Sequence, residues 1–122
     1  MSDIIAEHKL YFYGMNEPKV VVRFFRPQEK PATESQSIHF VCRYQIENVE
    51  SGELSDRYVV GLHALGALLS ALAIVGTEIE VINGQLSGKL REDPSLRDRC
   101  LENCGLPFYD PNQKRTLFPK AS

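Results

Sequence analysis

Cysteine and histidine are the residues of this chain whose chemistry would be easiest to recognise. Cys100 and Cys104 lie four positions apart, so on a helix both thiolates could bind one metal ion. A zinc site normally needs four ligands, and no second ligand pair follows at a suitable spacing. We therefore expect no metal and no cofactor, and we interpret both cysteines as small apolar residues packed against a core.

Acid–base catalysis has one candidate, His63, at the predicted start of a helix. Glu78 and Glu80 are two positions apart and do not face each other on a helix, so they form no acid–base pair. The sequence contains no phosphate loop, nucleophile elbow or dinucleotide fingerprint. We assign no catalytic residue and favour binding over catalysis, and a small enzyme with a site near His63 and Arg57 is a remaining alternative.

The elements that would position these residues follow from the hydrophobic periodicity. Four stretches rich in β-branched and aromatic residues, at 4–13, 19–25, 38–48 and 56–60, predict strands. Their short connections favour an antiparallel meander, with 27–35 as a polar loop. From residue 62 the apolar spacing becomes helical, and Asn83-Gly84 is a plausible left-handed end. The apolar positions that predict the sheet-facing side of this helix are Leu65, Leu68, Leu69, Leu72, Val75 and Ile79.

The predicted fold is a single α+β domain over residues 1–122. A four-stranded antiparallel meander (4–60) packs on one long apolar helix (62–82). Asp93-Pro94 is typical of a helix start, which predicts a short second helix over 93–104. Residues 105–122 contain three prolines and are predicted to form an extended, docked tail.

The face of the sheet turned away from the helix is the first candidate interaction surface. If Cys42, Tyr44 and Ile46 face the helix, their neighbours in the strand face outward. An ordinary solvated face is one interpretation, and a surface that binds an acidic protein partner is the other, because Arg and Tyr are common anchors of interfaces. The candidate protein-binding residues are Tyr11, Arg23, His39, Arg43 and Arg57.

The uncharged long helix offers the second candidate surface. Its small or polar residues recur every three or four positions, which places them on one face. Either the C-terminal segment, through Leu101, Leu106, Phe108, Leu117 or Phe118, or a second protein chain would have to cover this face. We favour the C-terminal segment. The candidate interface residues are His63, Gly66, Ser70, Ala73 and Thr77.

Charge and hydropathy restrict the remaining possibilities. The formal net charge is −2, so we expect no nucleic-acid partner. The uncharged run 58–77 is long enough to span a bilayer, but it lacks a Lys/Arg anchor and an aromatic belt, so we expect no membrane segment. An odd number of cysteines without a signal peptide predicts a cytoplasmic protein.

Several stretches together resemble an uncharacterised family of small bacterial α+β domains, over about residues 4–82. The matching segments are Ile5-Ala6-Glu7, Val20 to Pro27, Cys42-Arg43-Tyr44-Gln45-Ile46, and Gly61 to Leu68. The resemblance implies the fold and brings no established activity.

The sequence therefore predicts a small cytoplasmic protein-binding protein. An immunity protein that neutralises a bacterial toxin is the most concrete version of this function. A self-assembling subunit that uses the helix face is an alternative.

Overall fold

The computed structural model describes residues 3–30, 39–95, 97, 108–110 and 115–117. An antiparallel sheet packs on one long helix, which confirms the predicted α+β arrangement. In chain order the elements are β1 (Ile4–Leu10), β2 (Val20–Phe25), β3 (Gln28–Lys30), β4 (His39–Asn48), β5 (Glu53–Gly61), α1 (Ala64–Gln85), β6 (Phe108–Asp110) and β7 (Arg115–Leu117).

The sheet is a meander with one interrupted strand. β1 pairs with β2, β2 with β4, and β4 with β5, all antiparallel. β2 and β3 both pair with the same edge of β4. β2 pairs with the last residues of β4 and β3 with the first, so the two strands form one interrupted strand. Pro27 separates them, because proline has no N–H to donate. The predicted loop at 27–35 is thus wrong for 28–30, and residues 31–35 lie outside the described part.

The core lies between the inner face of the sheet and a narrow stripe of α1. Alternate residues of β2 and β4 are buried there. Four helix residues spaced four apart meet them, two of which are alanines: Ala67, Ala71, Val75 and Ile79. The predicted stripe is partly wrong, since Leu68 and Leu72 only flank this contact and Leu65 is 65% exposed. Alanine lets the helix backbone approach the sheet more closely than leucine would, and this turns the larger side chains to the flanks.

The closest approach is at Gly61, the last residue of β5. A Cβ at this position would lie 2.6 Å from the Ala67 nitrogen and 2.8 Å from its Cα. Gly61 is therefore required for space, so that β5 can pass directly into α1. His63 is the N-cap of the helix but makes no capping hydrogen bond through its side chain.

The helix ends later than predicted. It continues through Asn83-Gly84 to Gln85, and the residues with positive φ that follow the helix are Ser87 and Gly88. Asn83 still helps to close the end, because its Oδ1 accepts a hydrogen bond from the Leu90 N–H at 3.0 Å.

The C-terminal third differs from the prediction where it is described. Asp93 begins a turn in which its Oδ1 accepts from the N–H and the hydroxyl of Ser95. The predicted helix over 93–104 is not supported, and residues 96 and 98–104 lie outside the described part. The predicted tail contains an antiparallel pair, β6 with β7, and β6 lies against α1.

By length and composition alone, α1 is apolar enough to cross a membrane. In this fold its alanine stripe packs on the sheet, and a core helix passes the same test. The cytoplasmic location stays a prediction.

Gly61→Ala should destabilise the fold by about 1–3 kcal/mol, because the new Cβ would collide with the backbone of Ala67. Gly66→Ala is the matched control, since nothing lies within 4 Å of a Cβ there and the site is helical. It should stabilise by about 0.5–1 kcal/mol. Urea unfolding of both variants measures the difference, and a Gly61→Ala protein as stable as the wild type would contradict the proposed close contact.

Candidate functional site

The register of the strands decides which predicted residues share the outer face. Arg23 of β2 lies opposite Gln45 of β4, and Arg43 lies opposite Tyr58 of β5, all on the side away from α1. Arg57 does not belong to this face, so that part of the prediction is wrong. It lies opposite Tyr44, on the helix side, and its Nη1 is 3.6 Å from Glu78 of α1. The predicted parity of β5 was off by one residue, which moves every side chain of a strand to the other face.

Arg23 is held between two carboxylates of neighbouring strands. Its Nε donates to Glu7 Oε2 at 3.1 Å and its Nη2 donates to Glu47 Oε1 at 2.9 Å. Lys9 lies 3.6 Å from the other oxygen of Glu7. The hydrogen bond that Arg23 donates to Glu47, and then the one it donates to Glu7, raise the pKa of Arg23. The positive charge of Arg23 is therefore balanced by carboxylates on the two neighbouring strands. Arg23 stabilises the sheet and is not a free cation for a partner.

Arg43 is the centre of a second group. Its guanidinium donates to both carboxylate oxygens of Asp56 in a two-pronged pair. It also stacks on Phe25, with Cζ 4.6 Å from the ring centroid. Gln45 donates to the same carboxylate at 3.2 Å. The hydrogen bond from Arg43 lowers the pKa of Asp56. This group fixes a flat, partly aromatic surface.

A depression of about 390 Å³ opens beside Arg43 on the outer face. Its lining contains four basic residues, one of which is Arg57 from the helix side of β5, and only two acidic ones. Arg26 and Lys30 are exposed, and neither lies within ion-pair distance of a carboxylate in the described part of the chain. The lining residues are Asp3, Phe25, Arg26, Gln28, Lys30, Val41, Arg43, Asp56, Arg57 and Tyr58.

The other two predicted residues of the outer face lie outside this depression. His39 begins β4 opposite Lys30 and is half-buried. Tyr11 follows β1 and forms a two-way backbone bridge with Arg91, at 2.7 and 2.6 Å. Sequence reasoning missed Arg26 and Lys30, because it assigned one to a strand end and the other to a loop.

The helix stripe is divided between buried and exposed positions. Ala73 is buried and Gly66 is half-buried, whereas His63, Ser70 and Thr77 are exposed. Thr77 returns its hydroxyl to the Ala73 carbonyl at 3.2 Å. Of the segments named as covers for this stripe, Phe108 lies in β6 and Leu117 in β7, while Leu101, Leu106 and Phe118 lie outside the described residues.

A polar cluster between the sheet and α1 has no counterpart in the sequence analysis. The Tyr44 hydroxyl donates to Glu78 Oε1 at 3.1 Å, and Arg57 approaches the same oxygen. Burial, and then the charge of Glu78, raise the pKa of Tyr44 to about 12. The only sequence signal is a tyrosine within the otherwise apolar inner stripe of β4. At this side of the core the Tyr44 hydroxyl thus has a hydrogen-bond partner, as buried polar groups normally do.

Cys42 belongs to the core and not to a reactive site. It is a free cysteine, fully buried, and burial raises the pKa of its thiol. In the described ranges no three residues among His, Cys, Asp and Glu gather as metal ligands do. Cys100 and Cys104 lie outside those ranges.

A family model of a domain of unknown function, DUF6968, matches residues 6–100, so the chain belongs to this family. The match confirms the predicted resemblance to an uncharacterised domain family. Searches of curated proteins and of solved structures found no match.

Tyr44→Phe tests the cluster through its pH dependence. The folded protein keeps the Tyr44 proton up to a pKa of about 12, whereas the ordinary value is 10.0. The raised pKa means that the folded state is stabilised by the protonated hydroxyl. This stabilisation is complete below pH 10 and is lost as the pH rises through 12. Between these limits the wild type should lose up to about 2 kcal/mol of unfolding free energy relative to Tyr44→Phe.

Urea unfolding at pH 8 and pH 11 measures the change, with Tyr58→Phe, which removes an exposed tyrosine, as the matched control. Parallel pH profiles for the wild type and Tyr44→Phe would show that the hydroxyl has no such role.

Proposed function

We propose that this member of the DUF6968 family is a protein-binding protein whose outer sheet face accepts an acidic segment of another protein. The observation that carries this proposal is the pair of exposed cations Arg26 and Lys30 at a depression, neither with a carboxylate at ion-pair distance among the described residues, on a chain with a net charge of −2. The other charged groups of this face are largely paired within the sheet. A local positive surface on an acidic protein therefore selects for an acidic partner.

The shape and chemistry of the depression support a protein segment. Its volume of about 390 Å³ is within the range of ligand sites. Phe25 and Tyr58 line the depression together with Arg26 and Lys30, so a carboxylate and an apolar side chain of one segment have complementary groups side by side. Tyr and Arg are the residue types that contribute most to protein interfaces.

A protein is favoured over a nucleic acid because, among the described residues of the site, only Arg26 and Lys30 are cations without an ion pair. Binding to a phosphate backbone depends on neutralising several phosphates at once. The chain as a whole is acidic and would repel a polyanion.

The most specific form of the proposal is a cytoplasmic immunity protein that neutralises a toxin. A small domain that binds through one preformed surface suits such a task, since rigid surfaces lose little entropy on binding. The enzyme alternative is less favoured, because Arg57 pairs with Glu78 and His63 lies exposed at the start of α1.

Reversing both unmatched cations, as Arg26→Glu with Lys30→Glu, should weaken partner binding by about tenfold or more. The tagged wild type first captures the partner from its native host, and affinities are then measured by titration calorimetry with the purified partner. Wild-type affinity should fall as salt is raised.

Lys89→Glu with Arg97→Glu is the matched control, because it makes the same change in net charge at exposed sites outside the depression. It should bind like the wild type. Equal loss in both double variants would indicate a general charge effect, and unchanged affinity of the Arg26/Lys30 variant would remove the depression as the binding site. Loss of capture after nuclease treatment would instead indicate a nucleic-acid partner.

A further inference from the structure

The two edges of the main sheet are protected to very different degrees. β1, at one edge, has a register shift between Ile4 and Ala6 and carries Glu7 and Lys9. Bulges and charges are the features by which natural proteins prevent an edge strand from pairing with another chain. β1 is therefore a blunted edge.

β5, at the other edge, has none of these features in its second half. It pairs with β4 in continuous register over all nine residues, and no described strand pairs with its outer edge. Its charges, at Glu53, Asp56 and Arg57, all lie in the first half, and the strand contains no proline. Unpaired backbone groups of such a strand are a template for a further strand.

Several strongly exposed apolar residues lie on or directly after this uncharged half. Tyr58 is 68% exposed and Val60 is 54% exposed, and both lie on the outer face. Leu62 and Leu65 follow at once and are also exposed. Apolar exposure of this kind next to an open strand edge indicates a contact with another protein surface.

We propose that β5 pairs antiparallel with β5 of a second copy of this chain, around a two-fold axis at Val59. The two sheets then become one continuous sheet. In this register Tyr58 lies opposite Val60 of the second copy on the outer face, an aromatic pair with a β-branched residue that favours strand pairing. Arg57 lies opposite Gly61, so no like charges meet.

The positions of the charges in β5 favour this pairing register and a second copy of the chain as the partner. A two-fold pairing centred at Asp56 or at Arg57 would place identical charges directly opposite each other, which is unfavourable. Centring at Tyr58 would place each Asp56 against a Val60 within the strand, whereas centring at Val59 places it against Leu62, beyond the last residue of β5. Centring at Ser55 would pair Arg57 with Glu53, but it would leave the exposed Tyr58 and Val60 outside the contact, whereas the uncharged half pairs these two side chains with each other. A second copy therefore fits this edge without any change in the strand.

This dimer and the proposed binding of an acidic partner share Tyr58, which lines the depression, but they depend on different further residues. Pairing uses the backbone edge of β5, whereas Arg26 and Lys30 lie at the opposite side of the depression, on and before β3. Variants of the two surfaces therefore separate the two proposals.

Molar mass by light scattering, over a range of concentrations, tests the dimer. The wild type should rise from the chain mass of 13.8 kDa toward twice that value. Val60→Lys should stay at the monomer mass at concentrations where the wild type is dimeric. Leu54→Lys is the matched control, because Leu54 is on the same strand and face with the same 54% exposure, but outside the paired half.

Loss of the dimer in Val60→Lys but not in Leu54→Lys, with both proteins folded by circular dichroism, supports the proposal. A wild type that stays at the monomer mass at every concentration would overturn it, and so would equal behaviour of the two folded variants.

A cross-link decides the register, and it also decides the proposal if a lysine variant does not fold. Tyr58→Cys and Val60→Cys proteins are mixed and oxidised, and disulfides are located by peptide mass spectrometry. Directly opposed strand residues have the separation that a disulfide needs. A bond between positions 58 and 60 of different copies should dominate. A mixture of Leu54→Cys and Val60→Cys should form fewer mixed disulfides, and equal yields in the two mixtures would contradict the register.

Discussion

The close contact between Gly61 and Ala67 is the constraint on which the rest of the structure depends. It brings α1 onto the sheet at the point where β5 ends, with no room for a side chain on Gly61. Ala67 and Ala71 then continue the contact along the helix, and Val75 and Ile79 complete it. The helix is thereby rotated so that leucines expected in the core lie at its flanks. This one geometric requirement explains both the small inner stripe and the exposed Leu65.

The same rotation determines which polar groups meet at the side of the core. Glu78 reaches the Tyr44 hydroxyl and Arg57, so the inner face ends in a satisfied polar cluster. On the outer face Glu7, Glu47 and Asp56 match Arg23 and Arg43. Arg26 and Lys30 have no ion-pair partner among the described residues. They lie on either side of Pro27, where the line formed by β2 and β3 is interrupted and the cross-strand ion pairs end. The candidate site thus arises where the regular cross-strand pairing stops.

Strand alternation was sufficient to predict the antiparallel sheet and the face on which Arg23 and Arg43 lie. It was not sufficient for Arg57, because the parity of β5 depends on the length of the turn around Gly52, which the pattern does not fix. β3 was missed because Gln28, Glu29 and Lys30 have no strand propensity and pair only as a continuation of β2. The helix end was misplaced because Asn83 stabilises the end through its side chain while remaining helical. β3 depends on pairing with a separate strand, which overrides its local propensity, whereas the β5 parity and the helix end depend on turn and cap geometry that the hydrophobic pattern does not encode.

Amide hydrogen exchange of the chain, alone and bound to its captured partner, tests the central claim that the outer sheet face is the functional surface. The account predicts added protection in residues 26–30, with little change in the second half of α1. Protection confined to α1, with residues 26–30 unchanged, would contradict the account and make the helix face the binding surface.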